Sequence, residues 1–391
     1  MTRKIKYLLM CLLAAVSVPG WAVQDSLRFS LLTCEPGPEI YALFGHTALR
    51  CQRPALGTDV VFNYGMFNFR TPHFVLRFVK GETDYQLGVM PYPYFESEYA
   101  LRGSSVYEQE LNLTAPEKRR LLELLEDNYR PENRVYRYNY FYDNCTTRAR
   151  DQVERAVEGQ VVYPDSLPGK SFRSIVHEFT SDSPWGELGI DLCLGAEADR
   201  EIGLRQQMFA PFYLYGYAER AYIINKDGTR RPLVCRTSKI IDAAPETAGP
   251  AFPLSPLACA CILLAVAVVV AVCQWKTGRV YWGWEVLLMM LQGVAGCIIA
   301  FLFFVSEHPT VGSNWMLWLF NPVPLLYAPV LAYRCVKGRK DPYPLINSVY
   351  LMFFMIIVAF KCQDFNLSVV PLALTLLVTS ASHELVVRNK R

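Results

Sequence analysis

The last third of this chain is apolar enough to fix its environment. From about residue 251 onward, long apolar runs alternate with short polar connections, whereas earlier residues mix charged and apolar types as in a globular domain. A helix needs about 20 mostly apolar residues to cross a bilayer. We therefore predict an integral membrane protein with five spans, at about Pro253–Trp275, Tyr281–Val305, Trp315–Tyr333, Ile346–Phe360 and Leu367–Val387.

Basic residues between the predicted spans indicate their orientation. Lys276 and Arg279 follow the first span, a basic segment at 334–340 follows the third, and another at 388–391 ends the chain. All three fall on one side of the membrane, which the positive-inside rule identifies as cytoplasmic. Five spans that end in the cytoplasm place the residues before them on the outer side.

The N-terminus is typical of a secretory signal. Residues 1–22 combine a basic start, an apolar run at 7–18 and a small-residue cleavage site at 20–22. The alternative, an uncleaved anchor, is disfavoured because the apolar run is short for a span. We therefore predict a signal peptide at 1–22, a periplasmic domain at 23–250 and a transmembrane domain at 251–391 with a cytoplasmic C-terminus.

The exported domain has the pattern of an α+β fold. Short apolar or alternating runs between residues 27 and 111, punctuated by Gly and Pro, predict strands. Thr114 with a proline close behind predicts the start of one helix, and Asp143 or Asn144 is expected to cap another. The net charge of +3 is too small to favour nucleic acid as a partner.

Five cysteines lie in the exported domain, where an oxidising compartment preserves disulfides. Proximity in sequence predicts the pairs Cys34–Cys51 and Cys193–Cys235. Cys145 is then the odd thiol and a candidate nucleophile. It lies at the start of a predicted helix, where the helix dipole and free N–H groups lower the pKa of a thiol.

His46 is the candidate partner of this thiol, because a cysteine nucleophile needs a base that later returns the proton to the leaving group. Asn63 on the next predicted strand would orient the imidazole, with Asp59 as the competing residue. Alternatively, His46 could bind zinc together with Cys34 and Cys51. This alternative is disfavoured because neither C-x-x-C nor H-E-x-x-H occurs, so we expect no metal.

Several polar residues in or beside the predicted spans are candidates for substrate binding. Polar groups at membrane depth are costly and tend to be functional. The alternative is structural: they satisfy backbone groups freed by prolines, and tryptophans join an interfacial belt. The candidates are Glu307, His308, Asn314, Trp315 and Asn321.

The order of the two reactive residues suggests a family. A histidine on an early strand, followed about a hundred residues later by Asn144-Cys145 at a helix start, resembles the permuted papain-like group that includes lecithin:retinol acyltransferase. Four sequence blocks, together with the multi-span C-terminal part, give a fuller resemblance to the Lnb family, the Bacteroides-type lipoprotein N-acyltransferases. These blocks are Phe44-Gly45-His46-Thr47-Ala48-Leu49-Arg50, Phe62-Asn63-Tyr64-Gly65-Met66-Phe67-Asn68-Phe69, Phe78-Val79-Lys80-Gly81 and Tyr140-Phe141-Tyr142-Asp143-Asn144-Cys145-Thr146-Thr147-Arg148.

The resemblance implies an acyltransferase in the bacterial inner membrane. It would move a fatty acyl chain from a membrane phospholipid to the α-amino group of a diacylglyceryl-cysteine lipoprotein, without a cofactor. Cys145 would carry the chain as a thioester, His46 would act as acid and base, and Asn63 or Asp59 would be the third residue.

Four neighbouring residues are expected to assist this constellation. The Asn144 side chain would join the backbone N–H of Cys145 in holding the oxyanion. Asp143 and Tyr64 are expected to support the site, and Arg148 to bind substrate.

Two other functions use the same residues differently. A membrane-tethered periplasmic cysteine peptidase or amidase acting on cell-wall peptides would employ the same Cys–His pair, but one span suffices for tethering. A non-enzymatic exported binding or sensor domain would keep full function after Cys145→Ala.

Overall fold

The computed structural model describes residues 27–37, 39, 42–68, 70–243 and 252–389. The predicted signal peptide lies outside these residues, as do Lys390, Arg391 and most of the linker before the first span.

Ten strands form two antiparallel sheets in the described part of the N-terminal domain. They are β1 (Arg28–Cys34), β2 (His46–Arg53), β3 (Thr58–Met66), β4 (Asp84–Pro91), β5 (Val106–Leu111), β6 (Val135–Arg137), β7 (Gln160–Val162), β8 (Tyr222–Ile224), β9 (Arg230–Pro232) and β10 (Val234–Ile241). The larger sheet has the order β10-β5-β1-β2-β3-β4-β6, and β7-β8-β9 form the smaller one.

Eight helices accompany these strands. They are α1 (Phe74–Lys80), α2 (Tyr92–Leu101), α3 (Ala115–Tyr129), α4 (Cys145–Ala156), α5 (Phe172–Thr180), α6 (Pro184–Cys193), α7 (Leu204–Gln207) and α8 (Pro211–Arg220). Alternate residues of a strand face opposite sides of its sheet, so the central strands contribute to two cores. Leu49 packs with Leu121 of α3 on one face, and Ala48 packs with Phe95 of α2 on the other.

The C-terminal part is a helical bundle. Its helices are α9 (Pro256–Thr277), α10 (Trp282–Val305), α11 (Met316–Leu319), α12 (Val323–Val336), α13 (Tyr343–Ala359) and α14 (Val369–Arg388). Among the residues that the structure describes, four segments are long and apolar enough to cross a membrane: α9, α10, α14 and the interrupted segment Met316–Val336. The fold class is therefore α+β with a helical membrane region, as predicted.

Helix α13 is the short member of the bundle. Its 17 residues reach roughly 26 Å, slightly less than a hydrocarbon core of about 30 Å. The loop after it nevertheless contacts the N-terminal domain, because Gln363 Nε2 donates to the carbonyl of Leu194 at 3.0 Å. The C-terminal end of α13 therefore lies on the side of the bundle that contacts the N-terminal domain.

Two contact regions join the N-terminal domain to the bundle. At α1, the hydroxyl of Ser306 donates to the carbonyl of Val79 at 2.7 Å, and the N–H of Glu307 donates to the carbonyl of Lys80 at 2.8 Å. Because α1 connects β3 to β4, this end of the sheet faces the bundle. It is the same end at which β2 begins with His46.

The predicted disulfides are wrong, because these cysteines are all free thiols. In the register of β1 and β2, Cys34 lies opposite His46, whereas Cys51 lies opposite Phe29. The two cysteines therefore occupy opposite ends of the strand pair, and they belong to cores on opposite faces of the sheet.

The second predicted pair is separated by the architecture. Cys193 ends α6, where its carbonyl accepts from Asn314 of the bundle. Cys235 lies on β10, where its thiol donates to the carbonyl of Glu110 within the sheet.

Candidate active site

Asn144 sets the start of the helix that carries Cys145. Its Oδ1 accepts from the N–H groups of Thr146 and Thr147, each at 2.9 Å, so Asn144 rather than Asp143 is the N-cap. The Asn144 side chain does not accept from the N–H of Cys145, which is the first residue of the helix. A first-turn N–H has no partner within its own helix and can bind an anion.

The carboxamide nitrogen of Asn144 is used for structure. Nδ2 donates to the carbonyl of Tyr140 at 2.8 Å and to that of Phe209 at 2.9 Å. Both of its hydrogens are therefore engaged, and the side chain is buried. The expectation that Asn144 donates to an oxyanion is wrong in this arrangement: it holds the loop before Cys145 against the helical segment around Phe209.

Asn63, and not Asp59, contacts His46. His46 Nε2 lies 3.1 Å from Asn63 Oδ1, so the ring presents Nε2–H to the carboxamide oxygen. Asp59 is instead held by Arg50, at 2.8 Å from Nε and 2.6 Å from Nη2. Gly45 permits the approach to His46, because its φ is +75° and a Cβ there would lie 2.3 Å from the carbonyl oxygen of Cys34.

The Cys145 thiol is hydrogen-bonded to His46. Since Nε2 is taken by Asn63, the ring nitrogen that remains for sulfur is Nδ1. Burial raises the pKa of the thiol, but the facing imidazolium, its hydrogen bond, the N–H of Thr47 and the hydroxyl of Thr146 outweigh burial. The resulting pKa of Cys145 is about 7, below its usual value of 9.0.

His46 responds in the opposite direction. Burial opposes its charged form, but the Cys145 thiolate and the hydrogen bond to Asn63 together raise the pKa of the imidazole above 6.5. A lowered thiol pKa and a raised imidazole pKa both favour a thiolate–imidazolium pair near neutral pH. Such a pair can attack a carbonyl and then protonate the group that leaves.

Two further residues at the site escaped sequence reasoning. Thr146 Oγ1 lies 3.8 Å from the Cys145 sulfur and 3.2 Å from Thr47 Oγ1, so a hydroxyl pair borders the thiol. Tyr99 of α2 stacks on the His46 ring, with centroids 6.5 Å apart and planes 14° apart. In the sequence, Thr146 is recognisable as a site residue only because it is adjacent to Cys145. Tyr99 has no comparable signal.

The predicted supporting residues form structural contacts. The Asp143 carboxylate accepts two hydrogen bonds from the Arg148 guanidinium, at 2.6 and 2.7 Å. The same guanidinium lies 3.6 Å from the centre of the Tyr136 ring. Tyr64 is buried in the core, where its hydroxyl donates to Asn128 Oδ1 at 2.7 Å. None of these contacts involves Cys145 or His46.

Glu307, His308 and Asn314 each contact the N-terminal domain. Glu307 acts through its backbone N–H, as described above. His308 Nε2 lies 2.6 Å from the carbonyl oxygen of Phe78. Asn314 is buried, and its Nδ2 donates to the carbonyl of Leu192 at 2.8 Å.

Trp315 and Asn321 also have structural partners. The N–H of Trp315 donates to Gln363 Oε1 at 2.9 Å. Asn321 Oδ1 accepts at 3.1 Å from the N–H of Val323, the first residue of α12, where the third span is interrupted. The side-chain contacts of His308, Asn314 and Asn321 agree with the structural alternative, whereas the contacts of Glu307 and Trp315 are made by their backbone N–H groups.

A buried ionic cluster supports this contact. Arg173 is almost fully buried and donates to Asp191 at 2.8 Å and Asp199 at 2.5 Å. Asp191 also contacts His177 at 2.8 Å and accepts from Asn366 of the bundle at 3.0 Å. His177, Glu187 and Asp191 are close enough to bind a metal ion, but the Asp191 carboxylate already has three partners.

Comparison with known proteins gives matches to two family models. The model described as the Lnb N-terminal periplasmic domain matches residues 22–178, and the one described as the Lnb transmembrane domain matches residues 247–391. No curated protein and no solved structure matches the chain. The family matches agree with a multi-pass inner-membrane protein whose N-terminal domain is periplasmic.

Proposed function

The chain belongs to the Lnb family, and on that premise we propose that it is a lipoprotein N-acyltransferase with Cys145 as its nucleophile. The observation that carries the proposal is the thiol–imidazole–carboxamide arrangement of Cys145, His46 and Asn63 at the end of the sheet that faces the membrane bundle. The acyl donor is a membrane phospholipid, and the acceptor is the α-amino group of a diacylated lipoprotein.

The first half-reaction consumes the thiolate and the imidazolium together. Cys145 Sγ attacks the ester carbonyl of the phospholipid, and the N–H of Cys145 stabilises the oxyanion. The C–O bond of the ester then breaks, and His46 gives its proton to the departing glycerol oxygen. The products are a lysophospholipid, a Cys145 thioester and a neutral imidazole.

The second half-reaction restores the starting state. An α-amine has an unperturbed pKa of roughly 8, so a usable fraction is neutral near pH 7. The neutral amine attacks the thioester, and His46 takes the proton that the nitrogen loses. The C–S bond breaks, which leaves an amide on the lipoprotein and the thiolate–imidazolium pair on the enzyme.

Asn63 acts as a positioning residue in this scheme. Its Oδ1 holds Nε2–H of His46, which keeps Nδ1 directed to sulfur in both half-reactions. An amide has no charge, so it orients the ring without drawing its proton away. Asp59 cannot take this role while Arg50 binds both of its oxygens.

Membrane proximity supports a transferase over a peptidase or amidase. A phospholipid ester and a lipidated N-terminus both lie at the outer face of the inner membrane, which would place both substrates beside the contact between the domain and the bundle. A site near the bilayer also excludes water, and the thioester then survives until the amine arrives. We further propose that the chain ends in the cytoplasm, with five spans.

The test is expression in a bacterial strain depleted of its own lipoprotein N-acyltransferase. The mass of a lipoprotein's N-terminal peptide is compared between the wild-type protein and Cys145→Ala. A third acyl chain with the wild type alone is the expected result. A third chain with both proteins would remove Cys145 from the centre of the reaction, and no third chain with a folded wild-type protein would favour the amidase.

A further inference from the structure

Helix α1 exposes apolar side chains beside the membrane bundle. Val75 is 73 % exposed, Leu76 is 52 % exposed and Phe78 is 45 % exposed. A soluble surface rarely leaves adjacent large apolar residues open, so such a patch indicates a contact with a partner or a membrane.

The contacts of α1 fix its depth. The carbonyls of Val79 and Lys80 accept from Ser306 and Glu307, which directly follow the last residue of the α10 span. The α1 helix therefore lies level with the outer end of a membrane span. The exposed residues Phe304 and Val305 on α10 make the lipid-facing surface of the span continuous with the patch on α1.

A second contact places the domain at the same level. The indole N–H of Trp185 donates to the carbonyl of Leu254 at 2.9 Å, just before α9 enters the bundle. The start of α9 and the end of α10 belong to the same face of the bundle. This end of the domain therefore contacts both the end of α10, through α1, and the start of α9, through Trp185.

The charges of α1 suit an interfacial helix. Arg77 pairs with Asp84 at 2.8 Å, and Lys80 pairs with Glu82 at 2.6 Å. Helices that lie in the interface combine an apolar face with basic residues at the level of the headgroups. The α1 helix has this composition in only two turns.

An aromatic contact connects α1 to the thiol. Phe74 at the start of α1 stacks on Phe67, with ring centroids 5.6 Å apart. Phe67 and Cys145 pack against the same core. Two residues before Phe67, a Cβ on Gly65 would lie 3.7 Å from the Cβ of Cys145, so the chain from 65 to 74 runs from the thiol to the patch.

We propose that α1 lies in the outer leaflet of the membrane and admits the acyl chain of the phospholipid donor to Cys145. This proposal rests on the proposed function and adds the route of the donor. The acyl chain slides from the leaflet along Val75, Leu76 and Phe78 and past Phe67. The ester then meets the thiolate without leaving the apolar environment.

Photo-crosslinking tests the location of α1 without requiring activity. The full-length protein, in nanodiscs of phosphatidylethanolamine and phosphatidylglycerol, carries benzoylphenylalanine at position 76 or, as the control, at position 56. Leu56 is also exposed, at 69 %, but it lies in the turn between β2 and β3, at the opposite end of the sheet. Lipid adducts at position 76 and not at 56 are expected, and equal capture at both positions, or none at 76, would overturn the proposal.

Kinetics then test the route. The double variant V75D/L76D should lose about tenfold in kcat/KM with phospholipid donor in nanodiscs, since two exposed side chains no longer partition into lipid. With a short-chain phospholipid below its micelle concentration it should equal the wild type, and Leu56→Asp should equal the wild type with both donors. Equal loss with both donors, or no loss with either, would refute the route. An inactive wild type would refute the proposed function instead, while the crosslinks still decide the position of α1.

Discussion

The reactivity of Cys145 should depend on His46 in a way that pH reveals. The thiol pKa is lowered from 9.0 to about 7, and two units correspond to about 2.7 kcal/mol in favour of the thiolate. In His46→Ala the burial remains while the largest stabilising partner is lost. The pKa should therefore rise to at least 9, and the thiolate should form only in alkaline solution.

The pH at which the alkylation rate is half-maximal is a better measure of the Cys145 pKa than the alkylation rate at one pH. At pH 7, raising the pKa from about 7 to 9 reduces the thiolate fraction about fiftyfold, but a more basic thiolate reacts about eightfold faster. The net loss is only about sixfold. The pH midpoint instead moves by about two units whatever the intrinsic nucleophilicity.

The assay is iodoacetamide labelling of the detergent-solubilised protein between pH 5 and 10, read at the Cys145 peptide by mass spectrometry. Burial raises the pKa of Cys51 to about 11 and also raises those of Cys34, Cys193 and Cys235, so Cys145 should label first near neutral pH. The matched control is His73→Asn: His73 directly precedes α1 with a φ of +56°, which Asn also adopts, and the variant should keep the wild-type midpoint. A wild-type midpoint near 9, or one that His46→Ala leaves in place, would refute the ion pair.

Four substitutions separate the positioning of His46, the ion pair of Asp59, the capping of α4 and the contact between the domain and the bundle. Asn63→Ala should lower kcat by roughly one to two orders of magnitude with little change in unfolding temperature, because only the orientation of His46 is lost. Asp59→Ala should instead lower the free energy of unfolding by about 2 kcal/mol and leave kcat nearly intact. Asn144→Ala should destabilise the protein by about 2–4 kcal/mol in thermal denaturation, through a lost cap and two unbonded carbonyls. Glu307→Ala should match the wild type in activity and melting, since its backbone makes the contact; a loss in either would restore its side chain as a candidate.

Local patterns predicted the elements around the site. The alternating runs became strands, and a polar residue before a helical pattern marked the start of α4. The sequence left Asp143 and Asn144 as alternatives for the cap, and the residue that caps, Asn144, also donates to the carbonyl of Phe209, 65 residues away in sequence. Sequence spacing contains no information about such a partner.

The cysteine count was misleading. It assumed that nearby cysteines pair, but Cys34 and Cys51 lie on antiparallel strands at opposite ends and on opposite faces. Cys145 is therefore not distinguished by being the odd thiol, since all five are free. Its contact with His46 now supports the assignment.

The membrane residues show a similar limit. Hydropathy located the spans, because an apolar run needs no tertiary partner to be recognised. The sequence also singled out Asn314, at the opening of the third span, as a candidate for substrate binding. Whether such a group meets substrate or protein depends on packing, and Asn314 meets the carbonyl of Leu192.

The most direct test of Cys145 as the acyl carrier is its covalent state when no lipoprotein acceptor is present. The protein is incubated in nanodiscs with phospholipid, and the Cys145 peptide is weighed before and after treatment with hydroxylamine. The expected result is the added mass of one fatty acyl chain on Cys145, removed by hydroxylamine and absent in Cys145→Ala and in His46→Ala. Acyl transfer to a lipoprotein with no acyl chain ever found on Cys145, or with the chain on another residue, would contradict it.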